Sequence, residues 1–310
     1  MVFLSGLSAF PITPSDRDGR VDSKALRKLV ARLCAAQVDS IGLLGSTGTY
    51  MYLSREERRR ALAEALDETD GRTPVVIGVG VLRTDESVKL AQDAKALGAA
   101  AGLLAAVSYA PLTDEEVFEH FSTVAREGGL PIVIYDNPGT THFRFTPALV
   151  GRLAKVPGIV AIKNPTDKSD EIRSHLAGQR GIVPEGFSIG YSGDWNATEA
   201  MIAGADTWYS VLGGILPEAC MKIVSATQHR DAAQARRVDA TLAPLWDLFK
   251  QYSSLRVVYA LAELLDICRA EPPRPILPLS AETKQQITNA LERLPAGIRP
   301  MIRETGRQQR

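Results

Sequence analysis

Short apolar runs recur along this chain about every 30 residues, each followed by a longer stretch with apolar residues three and four apart. The runs are Leu4–Phe10, Ser40–Leu44, Pro74–Val79, Ala101–Ala105, Leu130–Tyr135, Ile159–Lys163, Phe187–Tyr191 and Asp206–Val211. They are continuous rather than alternating, and five of the eight are followed directly by Gly, Pro, Asn or Asp, as strands buried on both faces of a parallel sheet can be. Between them the 3.6-residue period predicts helices. One starts at Asp22-Ser23 with Leu26, Leu29, Val30 and Leu33 on one face, and another is opened by Ser54. Further helices are expected over Thr84–Leu97, Thr113–Arg126, Thr146–Ala154, Ser169–Leu176, Trp195–Ala203 and Ile215–Thr227. Ser54 with Glu57, and Thr113 with Glu116, have capping-box spacing, and Thr84 is a candidate cap. The charge run Arg55–Arg60 reads as a solvated helix face.

About eight such β-α units predict a parallel sheet with right-handed crossovers that closes into a (β/α)8 TIM barrel. An open doubly wound sheet is the competitor, but Gly78-Val79-Gly80 lacks the further glycine of a nucleotide-binding loop. After Gln228 the strands stop. Asp231–Tyr252, Leu255–Leu265 and Ala281–Leu294 read as helices, Pro272-Pro273 and Pro275 as an extended connector, and Arg303–Arg310 as a frayed end. The expected division is a barrel over residues 1–228 carrying the active site and a C-terminal helical region over 229–310.

Composition narrows the function. Thirty-six basic and 36 acidic side chains leave no net charge to draw the chain to nucleic acid or an anionic membrane. Cys34, Cys220 and Cys268 are too few and too scattered for a disulfide framework, and the four histidines have no metal-ligand spacing. The opening MVFLSGLSAFPITP has neither basic flank nor long apolar core, so it is not read as a signal peptide, and no stretch is long enough to span a bilayer. These features predict a cytoplasmic protein needing no metal or organic cofactor.

Candidate chemistry gathers at the strand ends, where such barrels hold their active sites. Lys163 ends the run Ile159–Ile162, and Pro165 stops the strand. Burial disfavours an ammonium, and a neutral amine can form a Schiff base with a carbonyl. Taken alone, the segment more readily fits a lysine whose ammonium reaches water. Tyr135 ends the preceding strand, before the turn Asp136-Asn137-Pro138-Gly139, and reads either as a proton relay or as a rim-packing aromatic. Neighbouring strands should bring Tyr135 and Lys163 face to face. Gly45-Ser46-Thr47-Gly48 offers hydroxyls and backbone amides that could receive a carboxylate, or is simply a turn.

The segments LSAFPITP, DGRVD, LLGSTGT–LSREER, PVVIGVG, IVIYDNPGTT and IVAIKNPT, in this order and spacing, resemble the dihydrodipicolinate synthase / N-acetylneuraminate lyase family over most of residues 3–230. The resemblance implies a TIM barrel with C-terminal helices, usually a homotetramer, and class I lysine chemistry on pyruvate or another 2-oxo acid. It implies that Lys163 is the Schiff-base lysine and Tyr135 the proton relay, with Ser46 and Thr47 on the substrate carboxylate. Tyr109 looks like the tyrosine that in many members reaches a neighbouring subunit's site, and Gly193 and Tyr209 line up with pocket positions.

Three departures bear on the second substrate. The arginine that dihydrodipicolinate synthases carry two residues after the loop proline, and use to hold the aldehyde's distal carboxylate, is Thr140 here. Threonine cannot form a cationic clamp. The glutamate of the family's GTTGE is Thr49, and Lys163 is followed by Asn164-Pro165 while Trp195 follows Ser192-Gly193-Asp194. His142 falls near the same mouth. The expectation is a lyase acting on pyruvate and an aldehyde or their adduct, most simply an aldolase for a 2-keto-3-deoxy sugar acid. Thr140, Thr141 and Asn164 would then hydrogen-bond a hydroxylated tail. A dehydratase of such acids, a dihydrodipicolinate synthase with an atypical aldehyde site, and a non-catalytic 2-oxo-acid-binding barrel are the alternatives.

Overall fold

In the computed structural model, which describes residues 4–166, 168 and 170–300, eight parallel strands pair in chain order. They are β1 (Gly6–Ala9), β2 (Ser40–Leu43), β3 (Val75–Gly78), β4 (Ala101–Ala105), β5 (Ile132–Tyr135), β6 (Ile159–Asn164), β7 (Ser188–Tyr191) and β8 (Thr207–Ser210). β8 returns to pair with β1, matching Gly6 with Thr207 and Ala9 with Ser210, so the sheet closes on itself. Six strands are shorter than the apolar runs that announced them, because the ends of those runs turn into loops, whereas β4 matches its run and β6 extends one residue beyond, to Asn164.

Helices follow the strands: α1 (Ser23–Ala35), α2 (Arg55–Thr69), α3 (Thr84–Leu97), α4 (Asp114–Gly128), the short α5 (Pro138–Thr141), α6 (Pro147–Leu153), α7 (Ile172–Arg180), α8 (Asp194–Ile202) and α9 (Pro217–Gln228). α10 (Ala232–Tyr252), α11 (Ser254–Leu264) and α12 (Ala281–Glu292) extend the chain beyond the barrel, with α10 packed on α8 and α9. The expected helix start at Ser169 and the chain end Arg303–Arg310 fall outside the described residues.

The capping signals resolve individually. Thr113 and Glu116 form a reciprocal capping box on α4. Ser54 Oγ accepts from Glu57 N at 3.2 Å, but the Glu57 carboxylate reaches instead to Val21 N, 2.7 Å away, and so tethers α2 to the segment before α1. Thr84 is not the cap: Arg83 holds that position, and the Thr84 hydroxyl bonds His120 Nδ1 at 2.9 Å between α3 and α4. The Arg55–Arg60 run is not uniformly solvated. Arg58 is buried, donates to Gly80 O at 3.1 Å and lies over the Tyr50 ring.

Two apolar layers result. The larger fills the space between strands and helices. The smaller lies inside the cylinder and comprises Phe10, Val76, Leu103, Val133, Tyr135, Tyr209 and the small residues Ala101, Ala105 and Ala161. Strand parity assigns each residue to one layer or the other. On β6 this puts Ala161 and Lys163 inside and Ile162 and Asn164 outside.

Candidate active site

Lys163 is the one lysine drawn into the interior layer, with only 3% of its surface exposed. It pairs in register with Tyr135 on β5 and Gly190 on β7, so neighbouring strands present the amine and the phenol side by side as expected. Lys163 Nζ sits 4.1 Å from the centroid of the Phe10 ring and 4.1 Å from that of Tyr135, with Tyr209 at 5.8 Å. Among the described residues no carboxylate comes within ion-pair distance of it.

The Tyr135 hydroxyl is held from the other side. It shares a 3.2 Å hydrogen bond with Ser46 Oγ and accepts from Asn137 Nδ2 at 3.0 Å; the same amide lies 3.3 Å from Ser46 Oγ. A phenol in a chain of hydroxyl and amide can pass a proton at one end and receive one at the other. Thr47 is buried next to Ser46, in a loop bounded by Leu44 and Thr49, both in the left-handed region (φ +54°). Non-glycine residues there cost energy, and such strain collects at binding sites.

Phe10 owes its place to missing side chains opposite it. A Cβ on Gly42 would stand 2.2 Å from the Phe10 ring, and one on Gly45 2.6 Å away. The ring therefore lies against β2 and the start of its loop, in the space left by these two glycines. Tyr209, fully buried on β8, meets Phe10 edge-on at 6.0 Å between centroids. Burial pushes its phenol pKa up, so it presents a neutral ring below the amine.

The remaining expected positions are distributed differently. Gly193 adopts φ +83°, and a Cβ there would stand 2.2 Å from Thr166 Oγ1, which donates to Gly193 O at 3.0 Å. Thr140 is exposed on α5, its hydroxyl turned back to Asn137 O at 3.3 Å. Tyr109, on the loop after β4, is fully exposed. Two residues expected to meet a substrate tail do not. Asn164 faces outward and exchanges hydrogen bonds with the Gln179 amide at 2.8 and 2.9 Å, and the buried Thr141 hydroxyl lies 3.1 Å from Asn137 O. Strand parity turns Asn164 away from the interior, and the α5 turn uses up Thr141.

Comparison with known proteins agrees with this geometry. A sequence model of the dihydrodipicolinate synthetase family matches residues 3–294. The 4-hydroxy-tetrahydrodipicolinate synthase of Methylococcus capsulatus is 34% identical over 288 residues, 92% of this chain and 96% of that one. The chain belongs to the dihydrodipicolinate synthetase family. Among solved structures, the dihydrodipicolinate synthase of Agrobacterium tumefaciens superposes with a TM-score of 0.93 at 52% identity, covering 94% of this chain and 99% of that one. The Acinetobacter baumannii dihydrodipicolinate synthase, solved as a complex with pyruvate, superposes at 0.87 with 30% identity over 95% and 99% of the two chains. The protein is accordingly a lyase of the pyruvate-dependent class I aldolase type. No helix among the described residues is long and apolar enough to cross a membrane.

In this family member the wall beside Gly193 is fixed by a buried carboxylate. Asp194 opens α8, is fully enclosed, and accepts from Trp208 Nε1 at 2.9 Å and Leu212 N at 2.7 Å, pinning the end of β8 to α8. Burial raises its pKa, although the hydrogen bonds it accepts pull the other way. A carboxyl raised in the folded state binds its proton more tightly than the unfolded chain does. Its contribution is therefore fully present below the unfolded value and is lost as pH rises through the folded one. Asp194→Asn should flatten the fall in Tm as pH rises above the ordinary carboxylate range of about 4 while lowering Tm throughout, because an amide cannot accept from every donor around it. Thermal melts from that range upward check it.

Phe10 and Asn137 were not singled out from the sequence. Asn137 sits in a Pro-Gly turn and reads as a turn former. Phe10 has a signal only in retrospect: glycines at 42 and 45, in a strand and loop otherwise rich in Ile and Leu, mark space taken by something else.

Proposed function

We propose that the protein is a Schiff-base-forming lyase that cleaves or builds a pyruvate adduct whose distal part is neutral and hydroxylated, a 2-keto-3-deoxy sugar acid being the chemical type. Lys163 Nζ attacks the ketone carbon, and loss of water leaves a protonated imine. The C3–C4 bond then breaks as Tyr135 takes the proton of the C4 hydroxyl, the electron pair passes to nitrogen as an enamine, and the aldehyde leaves. Ser46 and Thr47 hold the carboxylate.

The observation that carries the choice of tail is Thr140. The position that gives synthases a guanidinium offers here a hydroxyl already turned to Asn137 O, with no charge for a second carboxylate. The names of curated relatives such as the Methylococcus capsulatus 4-hydroxy-tetrahydrodipicolinate synthase favour a second reading, in which this chain condenses pyruvate with an amino-aldehyde bearing a carboxylate held elsewhere.

The full exposure of Tyr109, with Met51, Tyr52 and Leu82 also exposed on the loops after β2 and β3, supports a homotetramer in which a second copy covers these residues. Light scattering tests that. The zero net charge and scattered cysteines support a cytoplasmic location.

Borohydride added with pyruvate should leave one reduced pyruvyl mass on the Lys163 peptide. 2-Keto-3-deoxy sugar acids should then release pyruvate in a coupled assay. Rapid condensation of pyruvate with aspartate semialdehyde, with no release from the sugar acids, decides for the second reading.

A further inference from the structure

The imine nitrogen carries a positive charge inside the cylinder near the strand ends, and among the described residues no carboxylate stands beside it, so the one anion at hand is the substrate's own carboxylate. A buried cation without a partner is costly unless something offsets the lost hydration. What does stand beside it is aromatic. Phe10 and Tyr135 each place a ring centroid 4.1 Å from Nζ, with Tyr209 at 5.8 Å, within the range at which a ring's negative face attracts a cation. The Phe10 ring fills the space that Gly42 and Gly45 leave, where a Cβ at either position would collide with it.

We propose that Phe10 is a catalytic residue: its π face, with those of Tyr135 and Tyr209, stabilises the positive charge and so keeps the Lys163 imine protonated. This rests on the imine chemistry proposed above. The imine is an electron sink only while nitrogen bears its proton. Desolvation disfavours the charged form, and the Phe10 ring opposes this without introducing a base that could remove the proton. Phe10 has no hydroxyl, so it can act on nitrogen only through the ring.

The groups facing Nζ are few. β5 contributes the phenol of Tyr135 and β8 that of Tyr209; the residue after β1 contributes the Phe10 ring and β7 the backbone of Gly190. The Tyr209 phenol is held neutral by burial. A pH effect of changing Phe10 can therefore be read against a constant background.

The test replaces Phe10 in the full chain with mono-, di- and trifluorinated phenylalanine, which keep the ring's shape while draining its face. The readout is the pH profile of cyanoborohydride trapping with pyruvate. Each fluorine weakens every cationic form of Nζ, ammonium and iminium alike, so both limbs should move to lower pH in order of fluorine count. The full shift should be about one pH unit, a tenfold change in proton activity. Phe10→Leu, which fills the same space with no π face, should move the same way. Profiles that stay in place, or move without regard to fluorine count, overturn the proposal. Absence of any adduct in the unmodified chain overturns the imine reading itself, and this proposal with it.

Discussion

Lys163→Met should abolish pyruvate trapping and cut turnover by roughly 10^4-fold or more, since among the described residues no other lysine is buried to replace the nucleophile. Methionine copies the length of the lysine stem and can lie between the same rings. The variant should therefore fold, and its Tm should hold or rise, because the change removes a buried polar head with no carboxylate partner. Intact-protein mass after borohydride, turnover and a melting curve measure the three effects. A trapped adduct in this variant would mean that another lysine does the chemistry.

The second large effect belongs to one oxygen. Tyr135→Phe keeps the ring against Nζ and removes only the hydroxyl that Ser46 and Asn137 hold. A proton relay is worth roughly 10^2- to 10^4-fold, so kcat should fall by that much while the adduct still forms, more slowly. Rapid quench with borohydride separates imine formation from turnover. Equal loss in both would place Tyr135 in imine formation alone, and no loss would leave it as packing. Ser46→Ala and Asn137→Ala take away its two supports one at a time, and the smaller losses expected there should not add, because they act on the same oxygen.

Much of this site could be read without coordinates, and the parts that could not have physical reasons. Apolar runs of five to seven residues separated by helix-period stretches leave few folds open, and a barrel of parallel neighbours brings the ends of consecutive strands together. That is why Tyr135 and Lys163 could be paired. Strand parity was also available and pointed the right way: if Lys163 faces in, Asn164 faces out. Its amide accordingly meets Gln179 rather than a substrate.

Other features depend on partners far away in the chain. Arg58 lies in a run of charges on an exposed helix, and only the position of Tyr50 and the Gly80 carbonyl explains why it turns inward. Burial in that position lowers its pKa relative to an exposed guanidinium, an effect no local pattern announces. Phe10 belongs to the same class, since its place is set by what β2 lacks. Residues that act through what their neighbours omit leave the weakest trace in a single sequence.

The pairing of Gly6 with Thr207 has a consequence for how the molecule is made. At roughly 5–20 residues per second on the ribosome, β1 waits on the order of 10–40 s before its last partner exists. Throughout that interval the nascent chain carries an open, apolar edge that any passing strand could cap. Survival of newborn chains should therefore depend on chaperone supply far more than the sturdiness of the finished cylinder would suggest.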